Sequence, residues 1–374
     1  MIDLTSSLYL GLTHPSGALR PWRALTLGRP AALAADPLAR RLESRLARLL
    51  ATEAAALGRS TAHLSLDLST LVEPRGTILL DAASYPSLRW GAERAAGAGH
   101  AVRTFRRGDL RALARGLAGR PRGGLILTDG VCCGCNTPAP LDEYLAIALR
   151  YGASLVIDDT QAVGILGARP DPARPWGCGG GGTAAWLGLT GSPSLIVMAS
   201  LAKALGAPLA AIAGPAAAVK RWRRTSETRV HSSPPAAAEL AAVERALAAN
   251  GRYGDDLRAR LLAHIRRFRA VVGRGGIWLD GGLFPIQSVA VDGTAVAREL
   301  RRRLKRAGVL GVLQGAPGGG ARVTFVLTAA LALESVERAA ALIADHASAC
   351  HAGERAPAGE CARCGSDRTL RRAA

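Results

Sequence analysis

A chain of 374 residues that is 49% hydrophobic and 21% charged can bury a substantial core, as two or three domains or as one large α/β domain with an appendage. No apolar run approaches the roughly eighteen residues of a membrane span, and Met1-Ile2-Asp3-Leu4-Thr5 lacks the basic-then-apolar layout of a signal peptide, so a cytoplasmic protein without a membrane partner is expected. The formal charge of +19 invites a nucleic-acid reading, but the arginines are scattered over nearly every amphipathic segment, such as Arg40, Arg41, Arg45 and Arg48. That dispersion describes solvated helix faces, and its better use is to attract a polyanionic small molecule.

In chain order, the first forty or so residues carry Pro, Gly and Leu without clear periodicity and read as an arm, taken as 1–45. A helix is expected after Arg59-Ser60-Thr61-Ala62, running through Leu71. From Thr77 onward, short apolar runs alternate with helical stretches: strand Thr77–Asp81, helix Pro86–Ala96, strand Ala101–Phe105, helix Asp109–Gly119, strand Gly124–Thr128, helix Leu141–Tyr151. Ala153–Asp158 and Ser194–Ala199 are the most strand-like runs of all. This rhythm predicts an α/β fold with a mostly parallel sheet covered by helices, over a large domain at 46–235. After Pro234-Pro235 a long helical region to about Val272, interrupted at Asn250-Gly251, leads into a strand, helix, strand and helix that make a smaller domain over 236–348. Residues 349–374 read as a flexible tail.

Parallel sheets place their ligands at the carboxyl ends of strands. Asp129, Asp158 and Ser200 stand at such ends, and Lys203 follows Ser200 within one turn. Of the 48 Lys plus Arg residues, only Lys203, Lys220 and Lys305 are lysines. Lysine has a primary amine that can lose its proton and form a Schiff base, which arginine cannot do. Position and chemistry together point to a covalent aldehyde cofactor.

Seven cysteines without a secretion signal argue against a disulfide framework. Cys361-Ala-Arg-Cys364, with Cys350 and His351, has the makings of a zinc set, but its Gly-, Pro- and Arg-rich surroundings favour a flexible tail and no metal.

The stretch around Lys203 resembles the α-oxoamine synthases, pyridoxal-phosphate enzymes of fold type I. Leu8-Tyr9-Leu10-Gly11-Leu12 is similar to the family's N-D-Y-L-G-L. Asp129-Gly130-Val131 with Ala139-Pro140-Leu141 is similar to its D-G-V-F-S-M-D-G-D-x-A-P-L loop. Asp158-Asp159-Thr160-Gln161-Ala162-Val163-Gly164 resembles D-D-A-H-x-T-G, Phe284-Pro285-Ile286-Gln287 resembles S-P-I-Q, and Ala321-Arg322-Val323-Thr324 opens a run like A-R-L-R-x-T-L-T-A-A-H. The resemblance implies pyridoxal 5'-phosphate and a homodimer. It also implies decarboxylative condensation of an amino acid with an acyl thioester, on CoA or an acyl carrier protein, to an α-amino ketone. Other reactions on the same scaffold are transamination, β- or γ-elimination and replacement, or cyclisation. A non-catalytic nucleic-acid-binding or regulatory protein is a further alternative.

By the same resemblance, Lys203 holds the cofactor and then acts as base at the substrate α-carbon. Asp158 pairs with the protonated ring nitrogen, and Ser200 donates to the phosphate. Ser60 and Thr61, in Arg59-Ser60-Thr61-Ala62, stand at the family's phosphate turn S-G-Y-A. Asp129 joins the cofactor set, and His231 or Ser232 reaches the phosphate of the neighbouring subunit. Tyr85 replaces the histidine that stacks on the ring, and Gln161 replaces the histidine near its phenolic oxygen: Tyr85 can stack and Gln161 can donate, but neither titrates as imidazole does. Arg322 and Ser7 are expected to bind substrate. Thr324 and Leu331 stand where the family has its carboxylate-binding Arg and a His, so the usual substrates are not implied.

Overall fold

The apolar runs fold as strands. In chain order they are β1 (Ile2–Asp3), β2 (Ala54–Gly58), β3 (Thr77–Asp81), β4 (Ala101–Phe105), β5 (Leu125–Asp129), β6 (Ser154–Asp158), β7 (Leu195–Ser200), β8 (Ala210–Gly214), β9 (Ile286–Val291), β10 (Val309–Leu310), β11 (Val312–Gly315) and β12 (Ala321–Val326). The computed structural model describes residues 1–350 except 34, 35, 133, 135, 292 and 316–319. Contacts divide the described residues into two units, one within 13–254 without 134–136, the other within 1–12, 134–136 and 255–350.

The first unit is built on a seven-stranded sheet of order β2-β8-β7-β6-β5-β3-β4. The five strands β3 to β7 run parallel, and β8 lies antiparallel to both β7 and β2. The side chains of Ile126, Leu127, Leu155, Val156, Ile157 and Met198 are all fully buried, as central parallel strands covered on both faces require. One core between sheet and helices joins Leu64 and Leu68 to Leu88 and Ala92, Ile78, Met198, Ile212 and Trp222.

Strands β2 and β8 were not visible in the residue pattern. Ala54-Ala55-Ala56-Leu57-Gly58 and Ala210-Ala211-Ile212-Ala213-Gly214 are poor strand formers, and pairing with each other and with β7 decides their state. A helix at Pro37–Leu49 was also missed, although Asp36 caps it by accepting from Leu38 N at 2.7 Å. The helix expected through Leu71 is broken, into an α-helix over Thr61–Leu66 and a 3-10 turn over Leu68–Leu71. Asp67 sits at the break, buried, and accepts from the hydroxyls of Ser226 and Thr228, each at 2.6 Å. Binding that chain is what the uninterrupted helix gives way to.

The opposite happens at Asn250-Gly251. The helix Ala237–Arg274 runs through this pair unbroken, and Asn250 Nδ2 donates to Gly179 O at 2.9 Å. Glycine's helix penalty of about 1 kcal/mol is small against the burial of Val243, Ala246 and Leu247 on the same helix. In the second unit, a three-stranded antiparallel sheet β11-β12-β9 carries the helices Thr294–Arg306 and Leu333–Ala349, and β1 pairs in parallel with β10. Phe268 and Phe325 meet in its core with ring centroids 6.2 Å apart. No helix among the described residues is long and apolar enough to cross a membrane.

One buried ion pair ties the segment after β4 to the end of β3, and a hydroxyl from β5 joins it. Arg107 Nε donates to Asp81 Oδ2 at 2.6 Å, and Thr128 Oγ1 donates to the same oxygen at 2.7 Å. Burial works against the charge of Arg107, but Asp81, Cys132 and Asp129 outweigh it and raise its pKa. Removing one partner of such a pair strands the other charge. Arg107→Ala is expected to cost about 3–5 kcal/mol in urea denaturation; a loss under roughly 1 kcal/mol would show that water reaches Asp81.

Candidate active site

The parallel strands bring Asp81, Asp129, Asp158 and Ser200 to one edge of the sheet. Register sets them side by side, with Asp129 opposite Asp158, Ser200 opposite Ala210, and Ala210 opposite Gly58. Ser60 and Thr61 begin the next helix just beyond Gly58, on the same edge. Strand order reverses between β3 and β5, the place where sheets of this class open a crevice. Tyr85 follows β3 at that point and its backbone N–H donates to Asp129 Oδ2 at 2.9 Å. Its side chain is 50% exposed, leaving the ring accessible for stacking.

Asp158 ends β6 with its side chain buried. Thr160 N donates to Asp158 Oδ1 at 3.0 Å, and Ser200 N donates to Thr160 Oγ1 at 2.9 Å. The loop that carries Lys203 is held from several sides. Leu201 N donates to Leu209 O, Ala207 N to Leu201 O, and His14 Nε2 to Leu205 O at 2.9 Å. Gly164, at φ +87°, lies against this loop, and a Cβ on it would stand 2.6 Å from that of Ala204. Only glycine permits both that backbone and that approach.

Burial raises the pKa of Asp158, and the Thr160 hydroxyl, the Thr160 backbone N–H and the charge of Lys203 lower it in part. Burial followed by the charge of Asp158 lifts Asp129 well above the usual carboxylate range, against the pull of Arg107 and of Tyr85 N. Asp159, which accepts from Thr183 N at 2.7 Å, is pushed up to about 6, by burial first and with Asp158 adding to it. Three carboxylates thus crowd an edge on which the charges of Lys203 and the Asp81-bound Arg107 act. A ligand bearing a protonated aromatic nitrogen supplies positive charge where it is short, so the residues present fit pyridoxal phosphate.

The other expected residues fall in different places. Ser60 caps the helix Thr61–Leu66, and its hydroxyl bonds His63 Nδ1 at 2.8 Å. Ser232 donates to Thr228 O at 2.5 Å and lines a small cavity of about 20 Å³ with Arg59, His63 and Trp222, while His231 is exposed. Gln161 is half-buried. Arg322 and Ser7 belong to the second unit. Arg322 is buried and its Nη1 donates to Gly134 O at 2.7 Å, whereas Ser7 is exposed. Thr324 hydrogen-bonds Ser288 Oγ at 2.8 Å and Gln314 Oε1 at 3.0 Å, so a three-member polar network occupies its strand position. Cys133, Cys135, His351, Cys361 and Cys364 lie outside the described residues, and no cluster of metal-binding side chains occurs among those described. The sequence reading passed over Thr160, although it stands where the D-D-A-H motif has alanine.

Fold and site together define a pyridoxal-phosphate-dependent transferase of fold type I. The profile of the class I and II aminotransferases matches residues 1–341. An 8-amino-7-oxononanoate synthase of Alkalilimnicola ehrlichii is 31% identical over 303 residues, covering 79% of this chain and 73% of its own. Among solved structures, a lysine-to-alanine variant of a serine palmitoyltransferase from S. paucimobilis, with a bound PLP–myriocin aldimine, superposes with a TM-score of 0.81 at 18% identity, covering 94% of this chain and 88% of its own. The 8-amino-7-oxononanoate synthase of Francisella tularensis gives 0.73 at 20% identity, covering 93% and 98%. The chain belongs to the aminotransferase class I and II family, as a pyridoxal-phosphate-dependent transferase of the α-oxoamine synthase type.

The raised pKa of Asp159 has a consequence for stability. A carboxyl group that titrates higher in the folded state contributes stability below its unfolded pKa and loses it as pH rises through the folded value. The ordinary value is 3.8 and the folded one about 6. In the cofactor-free protein, the stability of wild type relative to Asp159→Asn is expected to fall by about 3 kcal/mol between about pH 4 and pH 6. Urea denaturation across that window measures it, and a flat difference would place the carboxylate in water.

Proposed function

We propose that this enzyme condenses an amino acid with an acyl thioester, on CoA or an acyl carrier protein, to give an α-amino ketone, CO2 and the free thiol. The observation that carries the reading is the buried Asp158, within the field of Lys203, in a chain 31% identical to an 8-amino-7-oxononanoate synthase over 303 residues. Pyridoxal phosphate, when bound, supplies an electron sink for negative charge at the amino acid's α-carbon. Lys203 holds the cofactor's aldehyde carbon, and after release its amine takes the proton at the substrate α-carbon.

Asp158 keeps the ring nitrogen protonated, with Asp129 beside it. Tyr85 stacks on the ring, and Gln161 donates to its phenolic oxygen. Ser200, Ser60 and Thr61 bind the phosphate, joined by His231 or Ser232 of a second subunit in a cytoplasmic homodimer. On sequence resemblance, Arg322 and Ser7 bind substrate. Thr324 and Leu331 support a substrate pair different from that of the named relatives.

A panel of amino acids mixed with acyl-CoA and acyl-carrier-protein donors tests the reaction. Thiol and CO2 are expected to appear together in equal amounts, and Lys203→Ala is expected to lower the rate by at least roughly 100-fold. An amino acid converted to keto acid or eliminated product with no thiol released would replace the condensation by transamination or elimination.

A further inference from the structure

Between the helices Ala216–Thr225 and Ala237–Arg274 the chain makes one short helical turn, Glu227–Val230, and then carries His231 and Ser232. This stretch is fastened at both ends to the segment that bears Ser60 and Thr61. At one end, Asp67 Oδ2 accepts from the hydroxyls of Ser226 and Thr228, each at 2.6 Å, and Asp67 Oδ1 accepts from Thr228 N at 3.2 Å. Ser226 Oγ in turn accepts from Arg229 N at 3.2 Å, so its one proton is committed to Asp67. At the other end, Glu239 pairs with Arg59 and accepts from Ala236 N at 2.7 Å. Residues from both sides, Arg59 and His63 with Thr228 and Ser232, line the cavity of about 20 Å³.

We infer that Asp67 is a positioning residue for the cofactor's phosphate, its carboxylate setting the stretch with His231 and Ser232 at a fixed distance from Ser60 and Thr61. The inference rests on the proposed assignment of those four residues to the phosphate. Asp67 and Ser226 are buried, at 1% and 2% exposure, so water does not compete for the bond between them. Hydrogen bonds to a carboxylate are charge-assisted, and breaking them would leave that carboxylate buried without donors, which makes the anchor stiff. The Arg59–Glu239 pair is more open to water, with the Arg59 side chain 36% exposed, so the firmer of the two fastenings is the one at Asp67. In the proposed homodimer, Ser60 and Thr61 serve one subunit's phosphate and His231 or Ser232 serves the other's. Each Asp67 therefore ties one phosphate site to the next.

The test titrates the cofactor-free full chain with pyridoxal 5'-phosphate and, separately, with pyridoxal, which has the same ring and aldehyde but no phosphate. Visible absorbance follows binding, and thermal melting of each variant is measured first. Asp67→Asn removes the charge, and Thr228→Val keeps the shape without the hydroxyl. In both, the half-saturating concentration of the phosphate ester is expected to rise about ten-fold, the size of one hydrogen bond to a charged group. That of pyridoxal is expected to stay within about two-fold of wild type, because it has no phosphate to be placed. Thr228→Ser restores the hydroxyl and is expected to behave as wild type. If Asp67→Asn does not fold, Thr228→Val is read alone. Equal weakening of both ligands overturns the inference, since it marks a general loss of structure, and so does failure of serine to rescue. A wild type that binds the two ligands equally well overturns the phosphate assignment itself, whereas a wild-type preference for the ester that survives in the variants overturns only the role of Asp67.

Discussion

Negative charge gathered at one edge of a buried sheet is the constraint on which the rest of this structure depends. Asp81, Asp129, Asp158 and Asp159 are all buried where the parallel strands end. Each would be costly alone, and each is handled differently. Asp81 is neutralised by Arg107, Asp159 is held by the amide and hydroxyl of Thr183, and Asp129 accepts from the backbone of Tyr85. Asp158 accepts from Thr160 N, and the charge of Lys203 acts on it. In the proposed reading, a pyridinium would meet negative charge there, which would give the cofactor an electrostatic reason to bind in one orientation.

The elements around this edge are shaped by the same demand. β8 runs antiparallel into the sheet and brings Ala210 beside Ser200, and the turn from β7 to β8 carries Lys203. Hydrogen bonds from His14 and Ala207 and the close approach of Gly164 to Ala204 limit where that turn can move. A lysine proposed to bind an aldehyde and then reach a proton needs a loop of definite position, and these contacts supply it.

The five parallel strands β3 to β7 were legible because they are continuous apolar runs bounded by polar residues, and their ends disclosed Asp129, Asp158, Ser200 and Lys203. β2 and β8 were not, because alanine- and glycine-rich segments have no strand preference of their own. The break at Asp67 and the unbroken helix through Asn250-Gly251 went against local expectation for one reason. In both places a contact distant in the chain, to Ser226 and Thr228 or to Gly179, outweighs a propensity of about 1 kcal/mol. At the site, Thr160 was passed over because its importance lies in a bond to Ser200, forty residues away.

What the sequence determined by itself was the class of chemistry. One lysine in an arginine-dominated chain, after a strand and in step with a row of aspartates, points to an aldehyde cofactor through the reactivity of an amine, and the resemblance of the surrounding motifs implies which one. The tertiary structure alone decided which carboxylates are brought together and which hydroxyl accepts from the amide of Ser200. Those are properties of register between strands distant in the chain, and no local pattern of residues encodes them.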